Sequence, residues 1–137
     1  MSKVFVLDAC ALIALLKNEA GADVVAAAYK QSENGEGKTI IIRINLLEIY
    51  YGFYHNDGKE YADRIMDGIE KSIIEIAEFD KEIFPIAGRL KASYRISLAD
   101  AIALAQAMTT GGELLTSDHH EFDAIAGKED IRFLWVR

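Results

Sequence analysis

Apolar residues fall in short runs separated by longer segments of helical periodicity. Lys3–Leu7 (KVFVL) stops abruptly at Asp8, and its β-branched and aromatic content predicts a buried strand. Ala9–Lys17 (ACALIALLK) follows at once and favours helix, Gly21 interrupts, and Ala22–Gln31 predicts a second helix fading into the polar loop SENGEGK. Thr39–Ile44 (TIIIRI) predicts a second strand. Asn45 is then placed to cap the run LLEIYYGFYH, whose apolar side chains point in all directions as in a buried helix. Asp57–Lys71 is amphipathic: Tyr61, Ile65 and Ile69 recur every fourth residue, and Glu60/Arg64 and Asp67/Lys71 form charge pairs at the same spacing. Ser72–Ala77 predicts a third strand. Asp80–Tyr94 predicts a helix whose start is delayed by Pro85. Ser97–Met108 is a very apolar helix ended by Gly111–Gly112, and Leu114–Thr116 and Ile131–Val136 complete the strands. Apolar strands alternating with helices predict an α/β fold of three layers: a mostly parallel sheet of four to five strands with helices on both faces. Ligands of such sheets gather at the carboxyl ends of the strands.

Composition narrows this picture. A chain of 137 residues is expected to form a single domain spanning 1–137, and 51% hydrophobic with 27% charged residues is globular composition. The single cysteine, Cys10, excludes an intrachain disulfide and a multi-cysteine zinc site. The N-terminus lacks the pattern of a signal peptide and no apolar run is long enough to span a bilayer, so a cytoplasmic protein without membrane contact is expected. With 15 basic and 22 acidic residues the net charge is −7, which works against broad electrostatic binding of nucleic-acid phosphate. A metal-loaded acidic site with a local basic rim remains compatible with it.

Four acids stand in unusual company. Asp8 and Asp118 each follow an apolar strand, while Glu48 and Asp100 are embedded in the two most apolar helices, NLLEIYYGF and SLADAIALAQAM. A carboxylate near a core costs several kcal/mol unless it is paired, hydrogen-bonded or coordinated, and neither helix holds an obvious buried Lys or Arg. A hard divalent cation, Mg²⁺ or Mn²⁺, would meet that cost for all four. Each acid also has a structural reading. Asp8 can cap the helix after it, Asp100 can complete a capping box with Ser97, and Asp118 can be a turn residue. Glu48 has the weakest structural excuse.

The ordered segments VFVLDACALIALL, NLLEIYYG, SLADAIALAQA and LLTSDHHEFDAI closely resemble the PIN-domain nucleases, and within them the VapC-type ribonuclease toxins of prokaryotic toxin–antitoxin pairs. The resemblance covers essentially the whole chain and implies a PIN-like fold and a metal-dependent endoribonuclease. It implies Asp8, Glu48, Asp100 and Asp118 as catalytic acids around Mg²⁺ or Mn²⁺, with Thr116 as a hydroxyl residue at the site. It also implies an RNA substrate, a cognate antitoxin and a homodimer. One departure is Cys10, where the family often carries Ser, Thr or Asn; a thiol is a poor Mg²⁺ ligand. Cys10 lacks a neighbouring His and is not expected to be a nucleophile.

Arg43 and Arg95, each just before an acid-bearing helix, are candidates for binding substrate phosphate, followed by Arg89 and Lys91. Solvated surface charge is the alternative for each. His119 and His120 beside Asp118 could touch RNA, though surface turn positions explain them as well. The aromatics Tyr50, Tyr51, Phe53 and Tyr54 could stack on bases, with core packing or a dimer interface as the alternative. A haloacid dehalogenase-type phosphatase would need a second Asp where Cys10 stands. A receiver domain would need an acidic pair at the end of the first strand, and a nucleotide-binding domain a glycine-rich first turn; none is present. Two rivals remain, a non-catalytic PIN-like module binding RNA or protein and a housekeeping RNA-processing nuclease, while a DNA-directed or structure-specific nuclease is disfavoured because the chain has no long insertions to grip a duplex.

Overall fold

In the computed structural model, which describes residues 3–137, the apolar runs form strands β1 (Lys3–Leu7), β2 (Gly37–Ile42), β3 (Glu75–Ala77), β4 (Glu113–Thr116) and β5 (Arg132–Trp135). They pair edge to edge, all parallel, in the order β3-β2-β1-β4-β5. Between them run α1 (Ala9–Leu16), α2 (Ala22–Glu33), α3 (Arg43–Asp57), α4 (Lys59–Glu70), α5 (Ile83–Ser93), α6 (Leu98–Thr110) and α7 (His119–Phe122). Among the described residues no helix is long and apolar enough to cross a membrane.

The pleat divides the strand side chains between two cores. Phe5, Leu7, Ile41 and Leu115 enter one, packed against Leu12 of α1, Val25 of α2, Leu46, Ile49 and Phe53 of α3, and Ile69 of α4. Val6, Ile42 and Leu114 enter the other, against Ile83 and Leu90 of α5, the face of α6 from Ala101 to Ala107, and Phe122 of α7. Both faces of the sheet are therefore covered, which is why the strands read as continuous apolar runs instead of alternating ones.

The sequence boundaries shift where helix meets strand without a chemical marker. β2 starts two residues early and ends at Ile42; α3 begins at Arg43, and Ile42 stands at its N-cap with no side-chain cap. Asn45 is thus not a cap. It lies fully buried inside the first turns of α3. The amphipathic segment expected from Asp57 begins at Lys59, because Gly58 with φ +88° ends α3 and opens α4. Pro85 falls in the first turn of α5, where a missing N–H costs nothing, and the Asp80 carboxylate accepts from the amides of Glu82 and Ile83 just ahead of it.

One glycine carries a strong local demand. Gly21 adopts φ +94°, and a Cβ there would overlap both the side chain and the carbonyl oxygen of Val136. Gly21→Ala is expected to destabilise the fold by about 2 kcal/mol or more, read as a lower urea midpoint at unchanged m-value.

Candidate functional site

The strand order runs outward from β1 in one direction through β2 and β3, and in the other through β4 and β5. The reversal lies between β1 and β4, and at such a switch point a crevice opens at the carboxyl ends of the strands. Leu7 pairs with Leu115, so the residues leaving these two strands, Asp8 and the Thr116–Asp118 segment, flank the crevice.

Asp8 is 1% exposed and caps α1: its Oδ1 accepts from the amide of Ala11 at 2.8 Å. Its other oxygen, Oδ2, is buried with no hydrogen-bond partner among the described residues. The capping reading holds through Oδ1, and Oδ2 is left available to a ligand. Thr116 is fully buried; its hydroxyl accepts from the Asp118 amide at 3.0 Å and lies near enough to Asp8 to ease that acid's ionisation. Asp118 in turn caps α7, its Oδ1 accepting from the Glu121 amide at 3.1 Å.

Asp100 sits in the first turn of α6. Its amide donates to the Ser97 hydroxyl at 3.1 Å, which is half of a capping box. The reciprocal half is not made by Asp100: the Ser97 amide donates to Oε1 of Glu121 on α7, at 3.1 Å. The Asp100 carboxylate is left to face the crevice acids. One carboxylate oxygen each from Asp100, Asp118 and Glu121 lies within 4.8 Å of the others. Glu121 escapes the sequence reading because it stands in the polar segment HHEFD and looks like any solvated acid; its spacing three residues after a capping Asp was the available signal. Glu48, in the second turn of α3, accepts from Nδ2 of Asn45 at 3.1 Å, and the same amide group reaches the carbonyl of Ala99 at 3.5 Å. With both amide hydrogens directed at acceptors, Oδ1 of Asn45 is buried without a partner among the described residues.

The electrostatics agree with a crowded acidic crevice. Burial pushes the Asp8 carboxyl up to about 6, with the charges of Asp118 and Glu48 adding to the rise. Asp100 is pushed up to about 7, again first by burial and then by Asp8, Asp118 and Glu121, against the opposing pull of the Ser97 hydroxyl. Cys10 is pushed up to about 12 by burial and by all four predicted acids, so it is held as a thiol and is no nucleophile. Four carboxylates concentrated this way, with an unpartnered buried oxygen on Asp8 and oxygen donors throughout, form a ligand set suited to a hard divalent cation.

The remaining candidates separate. Arg43 does not join the acids: its guanidinium is taken by Glu78, with Nε 2.9 Å from both carboxylate oxygens. Arg89 is likewise held by Glu129. Lys91 is exposed on α5, and Arg95 is exposed on the loop before α6. His119 stacks on Trp135 at 3.9 Å, and its ring nitrogens lie 2.8 Å from Asp123 Oδ1 and 2.8 Å from the Arg137 carbonyl oxygen. Those contacts raise its pKa, the Asp123 bond most, and tie α7 to the chain end. Of the aromatic cluster, Phe53 is core, Tyr50 donates to Asp63, and Tyr51 and Tyr54 are exposed.

Comparisons with known proteins place this arrangement. No curated relative matches the sequence. Among solved structures, the chain is similar to one in the VapBC2 complex of Rickettsia felis bound to a fragment of promoter DNA. That match has a TM-score of 0.75 at 18% identity, covering 96% of this chain and 98% of that one. It is similar to a chain of DNA-bound VapBC from Salmonella typhimurium, with a TM-score of 0.72 at 20% identity and all of both chains covered. The FitAcB structure from Neisseria gonorrhoeae gives 0.69 at 18% identity, over 95% of this chain and 96% of that one. At such identities these neighbours speak to the fold alone. The family model described as PIN domain matches residues 5–128, nearly the whole chain, and on that match the chain belongs to the PIN domain family.

Proposed function

We propose that residues 1–137 act as one nuclease domain, a divalent-metal-dependent endoribonuclease that serves as the toxin of a toxin–antitoxin pair. The observation that carries this reading is the convergence of Asp8, Asp100, Asp118 and Glu121, with Glu48 beside them, at the switch point of the sheet. Asp100, Asp118, Glu121 and the free Oδ2 of Asp8 are the groups that would hold Mg²⁺ or Mn²⁺. When bound, such an ion lowers the pKa of coordinated water and balances charge on the phosphoryl oxygens and leaving group.

The chain's own contribution is orientation. Capping fixes Asp8 and Asp118 through their Oδ1 atoms, and Glu121 is held by the Ser97 amide across from α7 to α6. Asn45 steers Glu48 and bridges α3 to the start of α6, the kind of supporting contact that keeps a ligand set in one geometry. RNA as the substrate follows from the resemblance of the four ordered segments to VapC-type ribonucleases. An antitoxin partner is supported by the toxin–antitoxin complexes among the solved neighbours.

The test is incubation of purified protein, freed of any copurifying inhibitor, with a mixed single-stranded RNA and Mn²⁺ or Mg²⁺. Cleavage that appears with metal and stops with EDTA is the expected result. Inert protein that also fails to bind Mn²⁺ would mean that the acids are structural.

A further inference from the structure

Beside the acidic crevice lies a second hollow, of about 360 Å³, between the loop before α6 and the helix α7. Its lining residues include Tyr94, Arg95, Ile96, His120, Ala124 and Ile125, and also Glu121, which belongs to the acidic cluster as well. The hollow and the acidic cluster therefore share one residue, Glu121. Its size falls within the range of roughly 300–1,000 Å³ typical of small-ligand pockets.

The charges around it are unusual for this chain. Arg43 and Arg89 are paired with Glu78 and Glu129, Arg64 lies over the ring of Tyr61, and Arg132 and Arg137 donate to the carbonyls of Gly111 and Ala20. Arg64 and Arg95 make no hydrogen bond or ion pair to the described residues, and of the two only Arg95 also lacks an aromatic partner, in a protein with a net charge of −7. An exposed arginine left unpaired amid excess acid, lining a hollow that shares Glu121 with the acidic cluster, is placed for an anion that arrives with a ligand. The wall beside it is rigid. The Tyr94 hydroxyl donates to Glu129 at 2.6 Å, and Glu129 is clamped from the other side by Arg89. The floor is apolar, with Ile96 and Ile125 buried. A fixed aromatic wall, an apolar floor and a cationic mouth match a nucleobase with its phosphate.

We propose that this hollow seats one nucleotide of single-stranded RNA next to the scissile phosphate, its base against Tyr94 and its phosphate on Arg95, with His120 at the rim. The proposal rests on the ribonuclease reading and adds to it the residues that select and position substrate. Arg95 and His120 are substrate-positioning groups outside the metal ligands.

The probe is a fluorescein-labelled single-stranded RNA of mixed sequence, followed by anisotropy with Ca²⁺ in place of Mn²⁺ to hold off cleavage. Arg95→Ala is expected to weaken binding by about tenfold and lower the salt slope by about one, with Arg95→Lys recovering part of the loss. Ala124→Glu, which puts a negative charge in the hollow while keeping Arg95 in the chain, is expected to weaken binding comparably. In Mn²⁺ the same variants raise KM and leave kcat nearly unchanged. The Mn²⁺-induced rise in Tm stays at the wild-type value in each, which shows that fold and metal site are intact. Wild-type affinity in both Arg95→Ala and Ala124→Glu overturns the subsite while leaving the nuclease standing. Wild-type protein that neither binds nor cleaves RNA removes the ribonuclease reading and the subsite together.

Discussion

Replacing Asp100 with Asn is expected to slow metal-dependent RNA cleavage by roughly a thousandfold and, at the same time, to make the metal-free protein more stable at pH 8. The two effects have one cause. Asp100 lies in the first turn of α6, where its amide donates to the Ser97 cap and the same hydroxyl partly offsets the cost of its charge. Asn keeps the shape and that capping bond, so the helix start survives. What is lost is a charge that burial, Asp8, Asp118 and Glu121 all oppose. Relieving that opposition is worth about 1–2 kcal/mol once the partial exposure of the side chain is allowed for. A structural acid behaves in the opposite way, since its removal destabilises. Single-turnover rates on RNA and urea melts of metal-free protein, run on the same preparations, separate the cases. Lost activity with lost stability would make Asp100 a structural group, and an unchanged rate would place it outside the chemistry.

The same separation explains what was legible in the sequence. The strands were readable because a doubly covered parallel sheet leaves no polar face, so KVFVL and TIIIRI are unbroken apolar runs. Asp8, Glu48 and Asp100 were readable because each is a charge in apolar surroundings, and the structure sets all of them in one electrostatic neighbourhood with Asp118. The start of α3 was not, because strand passes into helix between Ile42 and Arg43 with no glycine, proline or capping side chain to mark it. Asn45 therefore looked like a cap and is a buried bridge between Glu48 and the Ala99 carbonyl. The short helix α7 carries too few residues for a periodicity, and with it Glu121 was hidden among ordinary surface acids. Arg43 shows the converse limit. Its position before an acid-bearing helix was readable, but its partner Glu78, thirty-five residues away along the chain, was not. Local pattern finds groups whose surroundings are wrong for them; it does not find groups whose partners come from a distant turn.

Metal-free protein is expected to melt higher at pH 5 than at pH 8, and Mn²⁺ is expected to close that gap from the alkaline side. Asp8 and Asp100 are pushed up to about 6 and about 7, against 3.8 for an unperturbed Asp. Between these values the native chain binds more protons than the unfolded chain, so stability falls as pH rises through the folded values. Their contribution is fully present below about pH 4 and largely lost by pH 8. Across pH 5 to 8 the loss amounts to roughly 2 kcal/mol, or about 6–10 °C in Tm for a chain of this size. His119, whose pKa is raised chiefly by Asp123, acts in the same direction, but from an exposed position where solvent screens it. The lowered carboxyls of Asp63, Glu78 and Glu129 act the other way, yet only below the ordinary Glu range and so outside this window. A divalent cation binds the ionised acids, so at pH 8 a concentration a hundred times its Kd should add about 2.7 kcal/mol, and the gain should fade toward pH 5 as protons compete. The Asp100→Asn variant supplies the control, because it should flatten the metal-free pH profile and blunt the response to Mn²⁺ together. Calorimetric scans with and without Mn²⁺ across this range decide the matter. A metal-free Tm that climbs from pH 5 to 8, or an Mn²⁺ response that survives Asp100→Asn intact, would separate the acids of the crevice from any common metal and return each of them to its local structural role.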